Sequence, residues 1–177
     1  MNASVQAERG SIAIAAEQPA QAAALEGVLD RAFGPGRLAK TSERVREQGA
    51  RHRYDLSRVA VEDGAPIGCC RMHDINVGER AALFLGPLAV DPLNQHAGLG
   101  ARLVEAALAA SRSEGKAVIL VGAAAFFQPF GFVRIPEGRV TLPGPVDPQR
   151  LLWMALTPGA LDGLEGAVSA PPAASRS

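Results

Sequence analysis

The sequence predicts an α/β (α+β) fold with a mixed central sheet, and three observations support that prediction. Residues 81–90 form an apolar run long enough for a strand that is buried on both faces. A turn with two glycines and a helical pattern follow, and residues 117–121 form a second apolar run. Strands joined through a helix in this way run parallel, with a right-handed crossover. Asp63-Gly64, a strong hairpin signal between two shorter runs, adds antiparallel strands.

The chain before that hairpin is predicted to contain one strand and two helices. Ser11–Ala16 is short and alternates weakly, as a first strand would. Over Gln18–Phe33 apolar residues recur at helical spacing, and Pro19 suits a first helical turn. Ser42–Gln48 is predicted as a short second helix, with Ser42 as its candidate cap.

The middle of the chain supplies the parallel pair. Arg58–Glu62 and Pro66–Asp74 are the strands of the hairpin, and the long apolar strand follows them. Asp91-Pro92 ends that strand, because proline removes a hydrogen-bond donor and disfavours helix at the residue before it. The next helix begins near Leu99 with one apolar face, and it stops at Gly115 before the second buried run.

Three more elements are predicted after the second parallel strand. Residues 123–130 form a short helix that packs its phenylalanines. Arg139–Leu142 and Leu151–Leu156 form a final antiparallel pair, joined by a rigid link rich in proline. An exposed final strand is also a surface through which a homodimer can form.

Length and composition predict one domain with flexible ends. The chain has 177 residues, which fits a single domain with a sizeable core. Residues 1–10 are predicted as a flexible leader and residues 11–158 as the domain. Gly, Ala, Pro and Ser dominate residues 159–177, which predicts a tail that is partly disordered toward its end.

The charge balance and the cysteines narrow the function. Lys plus Arg and Asp plus Glu both number 18, so no net basic field favours nucleic acid. No apolar run is long enough for a membrane span, and the N-terminus lacks a signal core, so we expect a cytoplasmic protein. Cys69 and Cys70 are predicted to be packing residues, with a redox or substrate-pocket role as the alternative. The sequence contains no His/Cys cluster of the kind that binds metal, so no metal site is predicted.

The turn from Gln95 to Gly100, QHAGLG, carries the chemistry. The first turn of a helix has backbone N–H groups without partners, and the macrodipole makes them an anion site suited to phosphate. Gly98 and Gly100 let a ligand approach the backbone without meeting a β-carbon. The turn therefore predicts a site for a pyrophosphate.

Two segments resemble the signature motifs of the GCN5-related N-acetyltransferases (GNAT). The QHAGLG turn, on a strand-turn-helix, is similar to the acetyl-CoA signature Q/R-x-x-G-x-G/A. Phe126–Phe132, FFQPFGF, resembles the F/Y-Y-x-x-F-G-F motif near the C-terminal end of the family's domain. The order and spacing of the two segments also fit, and the resemblance, which is to bacterial members of small-molecule or uncharacterised type, covers Ile12 to Leu156.

The resemblance implies a mostly antiparallel sheet with helices on both faces and one parallel strand pair that splays apart. It also implies acetyl-CoA as co-substrate, without a metal. The pantetheine arm would pair with the strand before the turn, where a backbone N–H, taken here as that of Val90, would polarise the thioester carbonyl. The expected cofactor-binding residues are Leu88, Ala89, Val90, Gln95, His96, Ala97, Gly98, Leu99, Gly100, Ala101 and Phe127.

Two departures from the family pattern leave the catalytic residues unassigned. Phe127 stands where many members carry the tyrosine that protonates the leaving thiolate, and such general-acid help is typically worth ~10²–10⁴-fold. The strand before the turn has no Asp, Glu or His between residues 81 and 88, where members with a side-chain base often place a carboxylate. His73 and Asp74 are the candidate substitutes, and the alternative for His73 is a hydrogen-bonded residue at a strand end. Tyr54, in the acceptor-side loop, is a similar candidate functional residue.

Several residues keep two interpretations at this point. His96 either bonds a phosphate oxygen or faces solvent, while Phe126 and Phe127 either pack the core or wall the acyl chain. Trp153 is predicted in the core rather than the site. The basic segment between the first helices is either a solvated surface or a site for an acidic acceptor or the 3′-phosphate of CoA. Its members are Arg37, Lys40, Arg44, Arg46, Arg51, His52 and Arg53.

The predicted function is therefore acetyl transfer from acetyl-CoA to a primary amine of a small molecule or peptide, by direct attack. The alternative is a catalytically weak or inactive acyl-CoA-binding regulatory module. A third interpretation, a nucleotide-binding domain, lacks the G-x-x-x-x-G-K-S/T string and the full dinucleotide fingerprint.

Overall fold

The computed structural model describes residues 10–94 and 96–173, and over these ranges it contains four α-helices and ten strands. The strands are β1 (Ala13–Ala16), β2 (Arg51–His52), β3 (Arg58–Glu62), β4 (Ala65–Val77), β5 (Arg80–Val90), β6 (Ala117–Val121), β7 (Val133–Arg134), β8 (Val140–Thr141), β9 (Leu151–Ala155) and β10 (Gly166–Ser169). The helices are α1 (Ala22–Phe33), α2 (Thr41–Glu47), α3 (Leu99–Ser111) and α4 (Ala124–Phe127). Short 3₁₀ turns cover Pro19–Gln21, Pro35–Ala39, Pro92–Asn94, Arg112–Glu114, Gln128–Phe130 and Pro148–Arg150.

The strands form one mixed sheet in the order β1-β3-β4-β5-β6-β9-β7, with β2 and β10 both paired to β4. Every pair is antiparallel except β5–β6 and the short pair β8–β10. The α3 crossover between β5 and β6 produces the parallel pair that the sequence predicts. The mixed, mostly antiparallel sheet is therefore confirmed.

Helices cover both faces of the sheet, as predicted. On one face α1 buries Leu25, Val28 and Leu29 against Val59, Cys69 and Ala89. On the other face α3 buries Leu99, Leu103, Val104 and Ala107 against Cys70, Met72, Leu83 and Leu85. The apolar stripe of each helix therefore meets one set of alternating strand side chains.

The parallel pair separates after two residue pairs. β5 and β6 pair at Leu83↔Val118 and Phe84↔Ile119, and their pairing ends there. β5 nevertheless continues to Val90 along β4, and β6 continues to Val121 along β9. The two strands thus leave a gap between them at their C-terminal ends.

A β-bulge in β5 lies at the start of this gap. The β4–β5 register passes from Met72↔Leu85 to Cys70↔Leu88, so Gly86 and Pro87 together face the single residue Arg71. Proline lacks the N–H of a regular ladder, and within sheets it is confined to edges, strand starts and bulges. The Gly-Pro pair inside an apolar run is the sequence feature that indicates this bulge.

The predicted final antiparallel pair is wrong. β9 lies between β6 and β7 and is antiparallel to both, whereas β8 pairs with β10. The link after β8 is held on α2 instead of reversing into a hairpin, because Thr41 Oγ1 donates to the carbonyl of Pro145 and Gly144 lies against Arg44. Pro143 and Pro145 also cannot donate to a ladder.

Part of the predicted tail belongs to the described fold. Within residues 159–177, Leu164 and Val168 are buried, and β10 pairs with β4 and β8. The amide of Gly78 donates to the carbonyl of Ala167 at 3.0 Å, and that of Gly166 to Arg139 at 2.8 Å. Of the predicted leader, residues 1–9 lie outside the described residues. No helix in the described ranges has the length and hydropathy needed to cross a membrane.

Candidate active site

The glycine turn lies at the N-terminus of α3 and is open to solvent. Gly98 precedes the helix in a left-handed conformation with φ +76°, and a β-carbon there would meet no atom within 4 Å. Ala97 and Gly98 are exposed, whereas the Leu99 side chain is buried in the core. Of the predicted phosphate-binding residues, Leu99 therefore offers only its backbone, and Gln95 lies outside the described residues.

Two backbone N–H groups in this turn lack an acceptor among the described residues, as anion binding requires. The amide of Leu99 donates to the carbonyl of His96 at 3.2 Å. The amides of Gly100 and Ala101 have no acceptor among the residues that the structure describes. With the positive end of the α3 dipole, these donors form a site suited to an anion.

His96 has a protein partner that neither sequence interpretation included. Its Nε2 lies 3.4 Å from Glu62 Oε2 on β3, and Asn94 Nδ2 donates to the same oxygen at 3.2 Å. His96 therefore has a protein partner, and it could contact a ligand only by breaking its contact with Glu62. A carboxylate at the edge of an anion site opposes binding unless such partners hold it away.

The two sequence motifs meet in space at Gly100. A β-carbon on Gly100 would lie 3.7 Å from Cζ of Phe126, whose ring is 39% exposed. Phe126 in turn contacts Phe127 edge to face, with ring centroids 4.9 Å apart. The phenylalanine cluster therefore flanks the glycine turn, which neither motif reveals alone.

A cavity of about 500 Å³ opens where β5 and β6 separate. Its walls come from the splayed strands, from the segment between α1 and α2, and from the loop before β9; they include Phe33, Glu43, Phe84, Leu88, Phe127 and Arg150. Leu88 and Phe127 are the predicted site residues that line it. Ala89 and Val90 follow Leu88 on the same strand, and residues 96–101 lie outside this cavity.

Phe127 serves both of its sequence interpretations. Its ring is only 7% exposed and packs with Phe132 in the core, yet it also lines the cavity. Gly122 makes room for the ring, since a β-carbon there would lie 2.5 Å from Phe127 Cε2. The ring is thereby fixed in the cavity wall, where it cannot donate a proton.

The candidate bases from the sequence lie outside the cavity. His73 is buried, its Nδ1 has no partner among the described residues, and burial together with nearby His52, Arg46 and Arg71 lowers its pKa to about 3. It is therefore not poised near neutral pH. The hypothesis that it is a base at the site is not supported, because its side chain does not line the cavity and instead hydrogen-bonds the backbone of Gly86.

Asp74 and Tyr54 are held by other partners. Asp74 accepts from Arg51 and lies 3.2 Å from Arg53 and 3.6 Å from Lys116, so its carboxylate is already neutralised. Tyr54 stacks on His52 with ring centroids 4.0 Å apart. Neither residue lines the cavity.

Cys69, Cys70 and Trp153 are packing residues. Both thiols are buried, and burial raises the pKa of Cys69 to about 12 and that of Cys70 further. Neither lines the cavity, so the substrate-pocket alternative is not supported. Trp153 is buried, as predicted.

Most of the basic segment is neutralised within the protein. Arg37 pairs with Glu26 and Asp30 at 2.6 and 2.9 Å, Arg46 pairs with Glu43, and Arg53 pairs with Asp55 and Glu114. Arg51 and His52 likewise contact Asp74 and Glu17. The segment is therefore far less basic in the fold than its composition suggests.

Three charged cavity residues, Glu43, Asp147 and Arg150, were not predicted as site candidates. Glu43 pairs on α2 with Arg46, a member of the basic segment, and Asp147 and Arg150 flank the 3₁₀ turn before β9. Asp147-Pro148 signalled a turn, but no motif linked it to a strand gap more than twenty residues upstream in the chain. In the part of the chain that the structure describes, no group of three or more His, Cys, Asp or Glu residues is arranged to hold a metal ion.

Comparisons with known proteins agree with this geometry. The family model described as acetyltransferase (GNAT) domain matches residues 54–134. The chain is similar to the GNAT family N-acetyltransferase YhbS of Escherichia coli, solved in complex with CoA: the identity is 28% and the TM-score 0.73, over 92% of this chain and 90% of that chain. No curated protein matches significantly in sequence.

Two further solved structures are also similar. A GNAT family acetyltransferase of Brucella melitensis in complex with acetyl-CoA has 25% identity and a TM-score of 0.67, over 92% of this chain and 97% of that chain. The ribosomal-protein-S18-alanine N-acetyltransferase of Escherichia coli has 20% identity and a TM-score of 0.59, over 83% of this chain and 95% of that chain. The latter likeness concerns the fold alone.

Proposed function

We propose that the chain transfers an acetyl group from acetyl-CoA to a primary amine of a small molecule or peptide, because residues 54–134 match the GNAT acetyltransferase domain model and the fold is similar to GNAT structures solved with CoA or acetyl-CoA. The observation that carries the proposal is the open N-terminus of α3 beside the gap between β5 and β6. The Gly100 and Ala101 amides, which have no acceptor among the described residues, support the binding of a pyrophosphate there.

The residues of β5 are suited to hold the rest of the co-substrate. Beyond Phe84 this strand has no partner in β6, so backbone groups on that side are available to an extended pantetheine arm. Leu88, Ala89 and Val90 are the proposed backbone contacts, and the Val90 N–H is proposed to polarise the thioester carbonyl. Acetyl-CoA supplies the activated acyl group, and Phe127 walls the cavity into which that group would point.

Direct attack requires little from side chains. The acceptor amine must be neutral when it attacks, and a thiol pKa of about 8.5 makes the departing thiolate tolerable near neutrality. Orientation in the cavity and polarisation of the carbonyl then supply the rate enhancement. Because Phe127 cannot protonate the thiolate, we expect turnover to be slower than in members with tyrosine at that position.

A second candidate function, an acyl-CoA-binding regulatory module without useful turnover, is favoured by the same phenylalanine and by the absence of an acid on β5 between residues 81 and 88. It predicts the same co-substrate site. The cytoplasmic location and the homodimer stay predictions.

Two measurements on the full chain test the proposal. Calorimetry measures acetyl-CoA binding, and release of free CoA thiol over a panel of amines measures transfer. Binding together with amine-dependent thiol release supports the enzyme. Binding without release for any amine favours the regulatory module, and absence of binding contradicts both.

A further inference from the structure

The charged side chains around the cavity do not cancel. Six of its lining residues are ionisable: four are basic, namely Arg37, Lys40, Arg46 and Arg150, and two are acidic, namely Glu43 and Asp147. Arg37 is neutralised from outside the cavity by Glu26 and Asp30, and Arg46 is neutralised by Glu43. Asp147 caps the turn before β9, since its Oδ1 accepts from the amide of Gln149 at 2.9 Å, but it keeps its charge, so the mouth holds one carboxylate against two unpaired cations.

Lys40 and Arg150 remain without a carboxylate. Neither side chain lies within 4 Å of an acidic oxygen of the described residues. Lys40 has instead an aromatic neighbour, with its Nζ 4.7 Å from the centroid of the Phe33 ring. Both side chains are exposed, so they stand at the mouth of the cavity rather than in its floor.

The two cations come from different walls of one opening. Lys40 directly precedes α2, on the side of the α1–α2 segment. Arg150 directly precedes β9, and its carbonyl accepts from the amide of Gly122 at 2.9 Å, which fixes its backbone at the end of β6. Behind both lies an apolar surface that includes Leu29, Phe33, Phe84 and Phe127. A cleft with low-dielectric walls and a net positive mouth, here Lys40 and Arg150 against Asp147, concentrates anionic ligands.

We propose that the acceptor amine carries an anionic group, a carboxylate or a phosphate, which Lys40 and Arg150 bind at the mouth of this cavity. The proposal rests on the proposed acetyl transfer and narrows its substrate class. It disfavours polycationic amines as acceptors, because a second positive charge would meet two cations, Lys40 and Arg150, and only one carboxylate, Asp147.

Matched pairs of amines test the substrate class. The pairs are an amino acid with its amide, and phosphoethanolamine with ethanolamine, and spermidine represents the polycations; rates are expressed per neutral amine. We expect kcat/KM to favour an anionic member by about fivefold or more, the effect of an exposed ion pair. The carboxylate and phosphate pairs together show which anion is preferred. The preference should decline as salt is added.

Substitutions at the mouth of the cavity test whether Lys40 and Arg150 cause the preference for anionic amines. Lys40→Gln and Arg150→Gln should each reduce the preference for the anionic member by about fivefold, with the effect in KM rather than kcat. Arg134→Gln is the matched control, because Arg134 is an exposed arginine on β7 outside the cavity. Glu43→Gln should act in the opposite direction, since it leaves Arg46 as a third unneutralised cation in the wall.

Three outcomes overturn the proposal. The first is equal or better transfer to ethanolamine, to the amino-acid amide or to spermidine than to the anionic members. The second is a preference that Lys40→Gln and Arg150→Gln leave unchanged. The third is a loss of affinity for CoA, but not for dephospho-CoA, in these variants, because the two cations would then bind the 3′-phosphate of the co-substrate.

The proposal stays testable if no amine is acetylated. In that case calorimetry measures the binding of phosphoethanolamine and of the amino acid to protein saturated with CoA. Binding that Lys40→Gln and Arg150→Gln weaken supports the anion site even though acetyl transfer fails. Absence of binding at millimolar amine overturns the anion site itself.

Discussion

Gly98 has a backbone conformation that few other residues adopt, and the space that a β-carbon would enter is open. Its φ of +76° lies in the left-handed region, where aspartate and asparagine are tolerated better than other non-glycine residues. The space that a β-carbon would enter is the space that a phosphate must occupy in the proposed site. The identity of this residue therefore matters for binding more than for folding.

Gly98→Asp should reduce acetyl-CoA affinity tenfold or more, about 1.4 kcal/mol or greater, because it places a negative charge where the pyrophosphate must lie. Calorimetry measures the dissociation constant, and the melting temperature reports folding. Gly138→Asp is the control, since Gly138 has φ +80° and equally open space but is remote from α3. Unchanged affinity in Gly98→Asp would place the pyrophosphate elsewhere.

The Phe127 ring both packs in the core and lines the cavity of the proposed active site. Phe127→Tyr should leave acetyl-CoA affinity unchanged and raise kcat, by up to about 10²-fold, if the added hydroxyl protonates the departing thiolate. Phe130→Tyr, which adds a hydroxyl to the same aromatic cluster outside the cavity wall, is the control. A large loss of affinity in Phe127→Tyr would contradict its position beside the thiol.

At the scale of elements, β10 is one of three short strands, with β2 and β7, that were not predicted from the sequence. Gly166–Ser169 is short and lies in a stretch rich in Gly and Ala, and its partners on β4 and β8 are distant in the chain. The glycine turn and α3 were predictable because local spacing specifies them. The cavity was not, because segments far apart in sequence build its walls, and no local pattern records which strands separate.

The close crossing of Gly78 and Gly166 fixes β10 on the sheet. A β-carbon on Gly166 would lie 2.8 Å from the Cα and 2.9 Å from the amide nitrogen of Gly78, and neither backbone atom can yield cheaply. Gly166→Ala should therefore lower the free energy of unfolding by about 2 kcal/mol or more, measured in urea. Gly49→Ala, at φ +101° with only an ordinary contact 3.5 Å from the β-carbon of Ala170, is the control for the cost of the backbone conformation. Equal losses in the two variants would contradict the steric explanation.

Over the whole molecule, buried and paired ionisable groups link stability to pH. Arg53, followed by Lys116, lowers the pKa of the Glu114 carboxyl to about 2 from its ordinary 4.5. The unfolded chain therefore binds this proton first, and the stability that the ion pairs contribute is lost as the pH falls from 4.5 toward 2. This range overlaps that of the buried His73 at its upper end, between pH 4.5 and about 3.

His73 acts at higher pH in the same direction. Burial holds its pKa near about 3, whereas the unfolded chain binds the proton below the ordinary value of 6.5. The free energy of unfolding should thus fall below pH 6.5, by at most about 1.4 kcal/mol per pH unit from this one proton. In His73→Phe the loss between pH 6.5 and 4.5 should shrink, while the part of the loss that Glu114 contributes below pH 4.5 remains. Urea titrations across this range measure both, and an unchanged slope above pH 4.5 would contradict the assignment.

Because the β5–β6 pairing ends early, one side of β5 behaves like an edge strand although β5 lies at the centre of the sheet. Amides of β5 that point into the gap after Phe84 should exchange with deuterium quickly, although β4 protects the opposite side of the same strand. A bound pantetheine chain would complete the missing ladder and slow that exchange. Co-substrate binding should therefore be measurable as slower deuterium exchange of β5 amides, without any movement of the strand.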